Sequence, residues 1–151
     1  MNVIVGNAGP DFLVGDTNPL DPKDQIFGLG GNDVLVGGKD ADQLSGGTGN
    51  DIFSFQAGGP GNHLEADLLD LFTFHYDRIL DFEGAGVAGG DVVQFDTATN
   101  AGRLQPVTFD FLHSEWVYGV YDAAVLGNFL GYLAVNGPTP LAPAAGDVLF
   151  V

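Results

Sequence analysis

Large apolar residues recur at a spacing of nine along the first third of the chain. Ile26, Leu35, Leu44 and Phe53 keep this register. Each is the centre of a short apolar or mixed tripeptide, Gln25-Ile26-Phe27, Val34-Leu35-Val36, Gln43-Leu44-Ser45 and Ile52-Phe53-Ser54. Such tripeptides suit short strands whose central side chain points inward and whose neighbours point out. The residues between them are polar and glycine-rich. The units read PLDPKDQIF (19–27), GLGGNDVLV (28–36), GGKDADQLS (37–45) and GGTGNDIFS (46–54). An earlier unit, GNAGPDFLV (6–14), has the same grammar, with four extra residues, Gly15 to Asn18, before the next one. Asn2 and Ile4 stand nine before Asp11 and Leu13, so the N-terminus reads as half a unit, as if cut from a longer array. Two units make one coil of two strands and two turns, and units i and i+2 stack. Internal periodicity of this kind marks a repeat architecture.

Beyond Phe55 the period of nine stops. Gly58 to Asn62 is a Gly/Pro loop. Leu64, Leu68, Leu71 and Phe72 follow helical spacing, which predicts a short helix over His63 to His75. Residues 77 to 95 alternate through Ile79, Phe82, Val93 and Phe95, which predicts two strands joined by a Gly-rich turn. Val107 to Val151 reads as several antiparallel strands, with Trp116 and Tyr118 expected in the core rather than on an exposed strip. The organisation expected is a repeat region over 1–56 and a β-rich, sandwich-like segment over 57–151, forming one continuous unit.

The polar half of the repeat carries the chemistry. Asp24, Asp33, Asp42 and Asp51 share the register of nine, each two residues before a large apolar one, and Asp11 has the same relation to Leu13. Stacking pairs Asp33 with Asp51, Asp24 with Asp42, and Asp11 with Asp33. Stacked strands lie about 4.7–4.9 Å apart, and calcium–oxygen bonds are about 2.3–2.6 Å, so one ion can bind a carboxylate from each of two coils. Turn carbonyls near Gly28, Gly30, Gly46 and Thr48 would complete an all-oxygen shell. A flexible oxygen shell suits Ca²⁺ better than Mg²⁺, and zinc would call for His or Cys. Plain Asp/Gly turns are common, but four aspartates in one register point past them. An EF-hand starting at Asp40 fails, because Ser45 stands where its Gly belongs and Asp51 replaces its closing Glu. Asp16 and Asp21 fit either extra ligands or solvated loop residues.

These units resemble the RTX, or hemolysin-type, repeat G-G-x-G-x-D-x-U-x, a known calcium-binding β-helix motif. GGTGNDIFS matches in full; GGKDADQLS has Asp40 where the fourth Gly belongs, and PLDPKDQIF has no Gly. The resemblance implies a parallel β-roll, a right-handed calcium-binding β-helix, holding several Ca²⁺ ions. The stretch DRILDF…GGDVVQF (77–95) is similar to the element that follows the last repeat in serralysin-type proteases and mannuronan C5-epimerases. By that likeness Asp77 or Asp81 caps the final calcium site; an exposed strand acid is the equal alternative. The ending Asp147-Val148-Leu149-Phe150-Val151 resembles the C-terminal signal of type I secretion substrates, and reads equally as a last strand.

Composition narrows the function. The 151 residues include 24 Gly, 12 Phe and no Cys, with 4 basic against 20 acidic side chains and a net charge of −16. Such a surface repels nucleic acid and anionic membranes and attracts cations. With 45% hydrophobic residues the chain is too apolar for a solvated tail. No apolar stretch is long enough for a membrane helix, and no cleaved N-terminal signal is expected. H-E-x-x-H and G-x-S-x-G are absent, His63, His75 and His113 are scattered, and no catalytic constellation emerges. The expectation is a non-enzymatic, secreted bacterial module that folds on calcium outside the cell and acts as the folding and export unit of a type I secreted protein. Its partners would be calcium and the secretion machinery. The alternative is an accessory module of a carbohydrate-active enzyme, binding an acidic or neutral polysaccharide such as alginate.

Overall fold

The computed structural model describes residues 1–15, 23–57, 64, 76–84, 90–97, 102–110, 112–122, 128–137, 140–141 and 146–151. The repeat builds five strands of three residues: β1 (Val3–Val5), β2 (Phe12–Val14), β3 (Gln25–Phe27), β4 (Val34–Val36) and β5 (Gln43–Ser45). A longer β6 (Ile52–Ala57) follows. Odd strands stack on one side and even strands on the other, all parallel. Ile26 is level with Ile4 and Leu44, and Leu35 with Leu13 and Phe53. The centre of each strand points in, as the tripeptides require, and Ile26, Leu35, Leu44 and Phe53 have no exposed surface.

The stacking outlasts the period of nine. The two strands expected over 77–95 are present as β7 (Asp77–Ile79) and β8 (Val92–Thr97), but they lie in different sheets. β7 stacks on β5 and β8 on β6, so together they form a further coil. Ile79 and Val93 extend the two inward ladders and are fully buried. The chain then departs from the roll. β9 (Gly102–Asp110), β10 (Glu115–Asp122) and β11 (Asn128–Asn136) form an antiparallel meander. β11 joins the roll by pairing parallel with β7, and β12 (Val148–Phe150) does so by pairing parallel with β8. The result is a seven-stranded sheet, β1-β3-β5-β7-β11-β10-β9, facing a five-stranded one, β12-β8-β6-β4-β2. This is the all-β, roll-plus-sandwich architecture expected.

The core between the sheets runs from Ile26 and Leu35 through Phe55, Phe95 and Val135 to Val148. Phe55, Phe95 and Phe150 form a ladder across β6, β8 and β12. A second, smaller cluster of Tyr76, Val117, Tyr132 and Ala134 packs on the other face of the meander. Tyr118 is buried, and its hydroxyl accepts from the Leu141 N–H at 2.7 Å; Trp116 packs partly buried against the core, edge-on to Phe109. The helix expected over 63–75 lies outside the described residues except for Leu64, which is buried in the main core. Asp16 and Asp21 also lie outside them. No helix among the described residues is long and apolar enough to cross a membrane.

Candidate metal centre

The parallel strands leave two rows of turns along the roll. One row holds the turns 6–11, 28–33, 46–51 and the connection ending at Asp91. The other ends at Asp24, Asp42 and Asp77. Both rows use one device. The Oδ1 of five aspartates accepts the backbone N–H of the aspartate one coil earlier. Asp33 accepts from Asp11 at 2.8 Å, Asp51 from Asp33 at 2.8 Å, and Asp91 from Asp51 at 2.9 Å. On the other row Asp42 accepts from Asp24 at 2.7 Å and Asp77 from Asp42 at 2.9 Å. The aspartates are thereby locked in register and buried, with Asp33, Asp42 and Asp51 each 1% exposed.

Their second oxygens are aimed at glycine. A Cβ built at Gly28 would overlap Asp33 Oδ2 and lie 2.5 Å from the Gly46 carbonyl oxygen. At Gly6 it would overlap Asp11 Oδ2 and lie 2.8 Å from the Gly28 carbonyl. At Gly15 it would overlap the Gly37 carbonyl and lie 2.9 Å from Asp24 Oδ2. The first glycine of a unit thus opens a small space onto which a carboxylate oxygen and a carbonyl of the next coil converge. Asp33 Oδ2 and Asp51 Oδ2 are buried there and meet no hydrogen-bond donor. A buried anionic oxygen without a donor is costly. The whole chain has four Lys and Arg, and Arg78 is committed elsewhere, so a cation from solution is the natural complement. An all-oxygen set in an adaptable loop fits calcium.

Electrostatics agree. Burial pushes the Asp51 carboxyl above its ordinary range, and the charges of Asp33, Asp81 and Glu83 add to the push, against a lowering hydrogen bond from the Asp33 N–H. Burial likewise raises Asp91 to about 6. Crowded, desolvated carboxylates bind a proton or a metal ion more readily than isolated ones.

Of the residues singled out from the sequence, Asp11, Asp24, Asp33, Asp42, Asp51 and Asp77 fall in the two stacks. Gly28 and Gly46 supply the converging carbonyls. Gly30 and Thr48 bridge adjacent turns, and the Thr48 carbonyl accepts the Gly31 N–H at 2.9 Å. Asp81 stands apart from the stacks. Its oxygens accept from Ser45 Oγ at 2.6 Å, Gly46 N–H at 3.0 Å and Gly47 N–H at 2.9 Å, which caps the 46–51 turn. Asp91 was absent from the expected ligands, although Asp91-x-Val93 repeats the Asp-x-apolar signature; it closes one stack, and its Oδ2 accepts the Glu83 N–H at 2.8 Å. At the other end Asn7 donates to both oxygens of Asp11. The ends of this row are capped by protein donors, while the oxygens without donors lie inside it.

One His/carboxylate cluster, Asp110, His113 and Glu115, has ligand-type atoms within 4.8 Å of one another. Its groups already serve the β9–β10 hairpin and the link from β10 to β7. His113 bonds to Asp110, holding that carboxyl below its usual range, and Glu115 takes three bonds from Arg78.

A parallel roll whose turns open on glycine and close on a stacked aspartate defines the class of calcium-binding repeat modules. The repeats are RTX calcium-binding nonapeptide repeats, matching that family in four copies over residues 1–17 and 23–53. In fold the chain is similar to the AlgE6R3 subunit of the Azotobacter vinelandii mannuronan C5-epimerase, known from a solution structure. The two share 22% identity and a TM-score of 0.51, over 97% of this chain and 81% of that one. No curated protein sequence matches the chain.

Proposed function

We propose that the chain is a non-catalytic module that completes its folding when calcium fills the turns, and that this couples folding to arrival outside the cell. The observation that carries the reading is the pair of buried, donorless oxygens on Asp33 and Asp51, each facing the space left by a glycine. The proposed ligands are the carboxylates of Asp11, Asp24, Asp33, Asp42, Asp51 and Asp77 with the carbonyls of Gly28 and Gly46. Gly30 and Thr48 hold the turn beside them, and Asp81 supports the last turn from outside the stack. Without the ion, stacked carboxylates repel and the glycine-rich chain pays a large entropy cost to order. With it, binding free energy becomes folding free energy. In calcium-poor cytoplasm the module would stay loose and exportable. In millimolar calcium it would close into the roll, serving as the folding and export unit of a type I secreted protein.

Circular dichroism of the chelated chain during a calcium titration tests this, with magnesium as control. A cooperative gain of β signal with calcium alone is the expected outcome. A chain fully folded in chelator and indifferent to calcium would make the repeat a bare scaffold.

The fold likeness to a mannuronan epimerase subunit supports a second reading, an accessory module that contacts a polysaccharide. With −16 net charge, contact with a polyanion would have to run through calcium. Titration with neutral and acidic oligosaccharides, with and without calcium, separates the two readings.

A further inference from the structure

Asp110 ends β9 and Glu115 begins β10, and the two residues stand opposite each other across the hairpin. Opposed residues of an antiparallel pair send their side chains to the same face of the sheet. His113 lies in the turn between them, and its Nδ1 meets Asp110 Oδ2 at 2.5 Å. One imidazole nitrogen and two carboxylate oxygens thereby come within 4.8 Å of one another, the one such trio among the described residues. The turn is held in place from several sides. The Leu112 N–H donates to Asp110 Oδ1 at 2.8 Å, Asn136 Nδ2 donates to the His113 carbonyl at 3.3 Å, and the Gly137 N–H donates to the Ser114 carbonyl at 3.0 Å. Glu115 is buried, and Arg78 fixes it with two bonds to Oε1 and one, at 3.1 Å, to Oε2. A carboxylate offers about four acceptor sites, so Glu115 keeps capacity for a further partner. Carboxylates that bind a metal are commonly steadied by an outer hydrogen-bond donor of this kind. The His113 side chain is 39% exposed, so the trio is open to solvent on that side. Two carboxylates against one guanidinium also leave a negative field. Tyr76 registers it: burial pushes its phenol up to about 12, and the charges of Glu115 and Asp110 add to the push against the opposing pull of Arg78.

We propose that Asp110, His113 and Glu115 form a zinc-binding site at the tip of the β9–β10 hairpin, separate from the calcium rows. Around a tetrahedral zinc with bonds of about 2.0–2.2 Å, ligand atoms stand about 3.4 Å apart. A trio already within 4.8 Å closes on such an ion by side-chain rotation. The imidazole nitrogen selects a transition metal over calcium, whose ligands are oxygens. Zinc takes the place of the hydrogen shared by His113 and Asp110, and water fills the fourth position from the exposed side. The ion joins the end of β9, the turn and the start of β10, and the bond from Arg78 to Glu115 extends that clamp to β7. None of this rests on the calcium reading above.

The test is calorimetric titration of the full chain with Zn²⁺ in saturating calcium, which competes for the carboxylates of the roll. A single zinc step is expected. H113A removes the imidazole and leaves the backbone bonds of the turn in place. D110N removes a charged ligand and keeps the side-chain shape. H63A removes an imidazole elsewhere in the sequence. Zinc binding is expected to weaken by about tenfold or more in H113A and in D110N, and to stay unchanged in H63A. A wild type that takes up no zinc would overturn the assignment. So would binding that survives H113A, an equal loss in H63A, or zinc that added calcium displaces, which would place the ion on the roll. Should D110N fail to fold, H113A, whose side chain lies in an exposed turn, still decides. A chain that binds zinc here and takes up no calcium would leave this site standing and remove the calcium reading alone.

Discussion

Leu29 occupies the position that Gly38 and Gly47 hold in neighbouring units, and it shares their backbone. Its φ is 78°, against 105° and 91°. A left-handed conformation costs an ordinary L-residue about 1–2 kcal/mol, and glycine gives back about 0.5–1 kcal/mol through its freer unfolded chain. Leu29 is 54% exposed, so little packing is lost with it. Leu29→Gly is therefore expected to stabilise the calcium-loaded protein by about 0.5–1 kcal/mol, seen as a higher urea midpoint; a lower one would mean that its packing outweighs the backbone. Gly28 presents the opposite case. Its φ is not in the left-handed region, so Ala is acceptable to the backbone, yet the added methyl would overlap Asp33 Oδ2 and crowd the Gly46 carbonyl. Gly28→Ala should remove the calcium step of that cradle while leaving the other row binding, and an unchanged binding isotherm would count against the cradle. The register of the aspartates was legible at this scale because one residue type recurs at one spacing. That Oδ1 would lock the coils together and Oδ2 would face glycine was not, since both follow from how adjacent coils dock.

At the scale of elements, β7 is the joint of the molecule. It carries Asp77 for one stack, Ile79 for the inward ladder and Arg78 for the outside. It pairs with β5 of the roll on one edge and β11 of the meander on the other. Arg78 donates to both oxygens of Glu115 on β10, with its Nη2 2.6 Å from Oε1, and Glu115 is 1% exposed. Removing one partner from a buried pair strands a charge and costs about 3–5 kcal/mol. Arg78→Met should thus destabilise the folded protein by an amount approaching that range, while Arg78→Met combined with Glu115→Gln recovers part of it. A double-mutant cycle on thermal unfolding measures the coupling, and zero coupling would mean solvent already screens the pair. The apolar alternation over 77–95 located both strands of this region. It did not show that they enter opposite sheets. A strand of three residues records which of its side chains point inward, but its partner is chosen by stacking across segments far away in sequence.

For the whole molecule, the main electrostatic fact is carboxylates buried faster than the chain supplies positive charge. Asp91, with an ordinary value of 3.8, is raised to about 6 by burial. A carboxyl raised in the folded state holds its proton more tightly there than in the unfolded chain. Its contribution to stability is complete below about 3.8 and is lost as pH rises through about 6. Asp51 shifts in the same direction. In chelator, the chain should therefore hold more β structure at pH 5 than at pH 7.5. In calcium the order should reverse, because protons compete with the ion for the same oxygens. Circular dichroism in chelator and urea denaturation in calcium, each at the two pH values, check both halves; more β structure in chelator at pH 7.5 would show that these carboxylates do not govern the balance.

The sequence by itself determined the all-β class, the coil of two nine-residue units, the inward ladder and the acidic residue that closes each turn. All of these are local or strictly periodic, and each unit writes them afresh. Tertiary structure alone decided that the roll continues through β7 and β8 to β12, that Asp91 ends one stack, and that Asp81 caps a turn instead of joining the row. It also decided that the meander enters through β7. These outcomes depend on contacts across connections of irregular length, where periodicity no longer carries register. There the partner of each strand is set by which buried surfaces and hydrogen-bonding edges the rest of the fold leaves open.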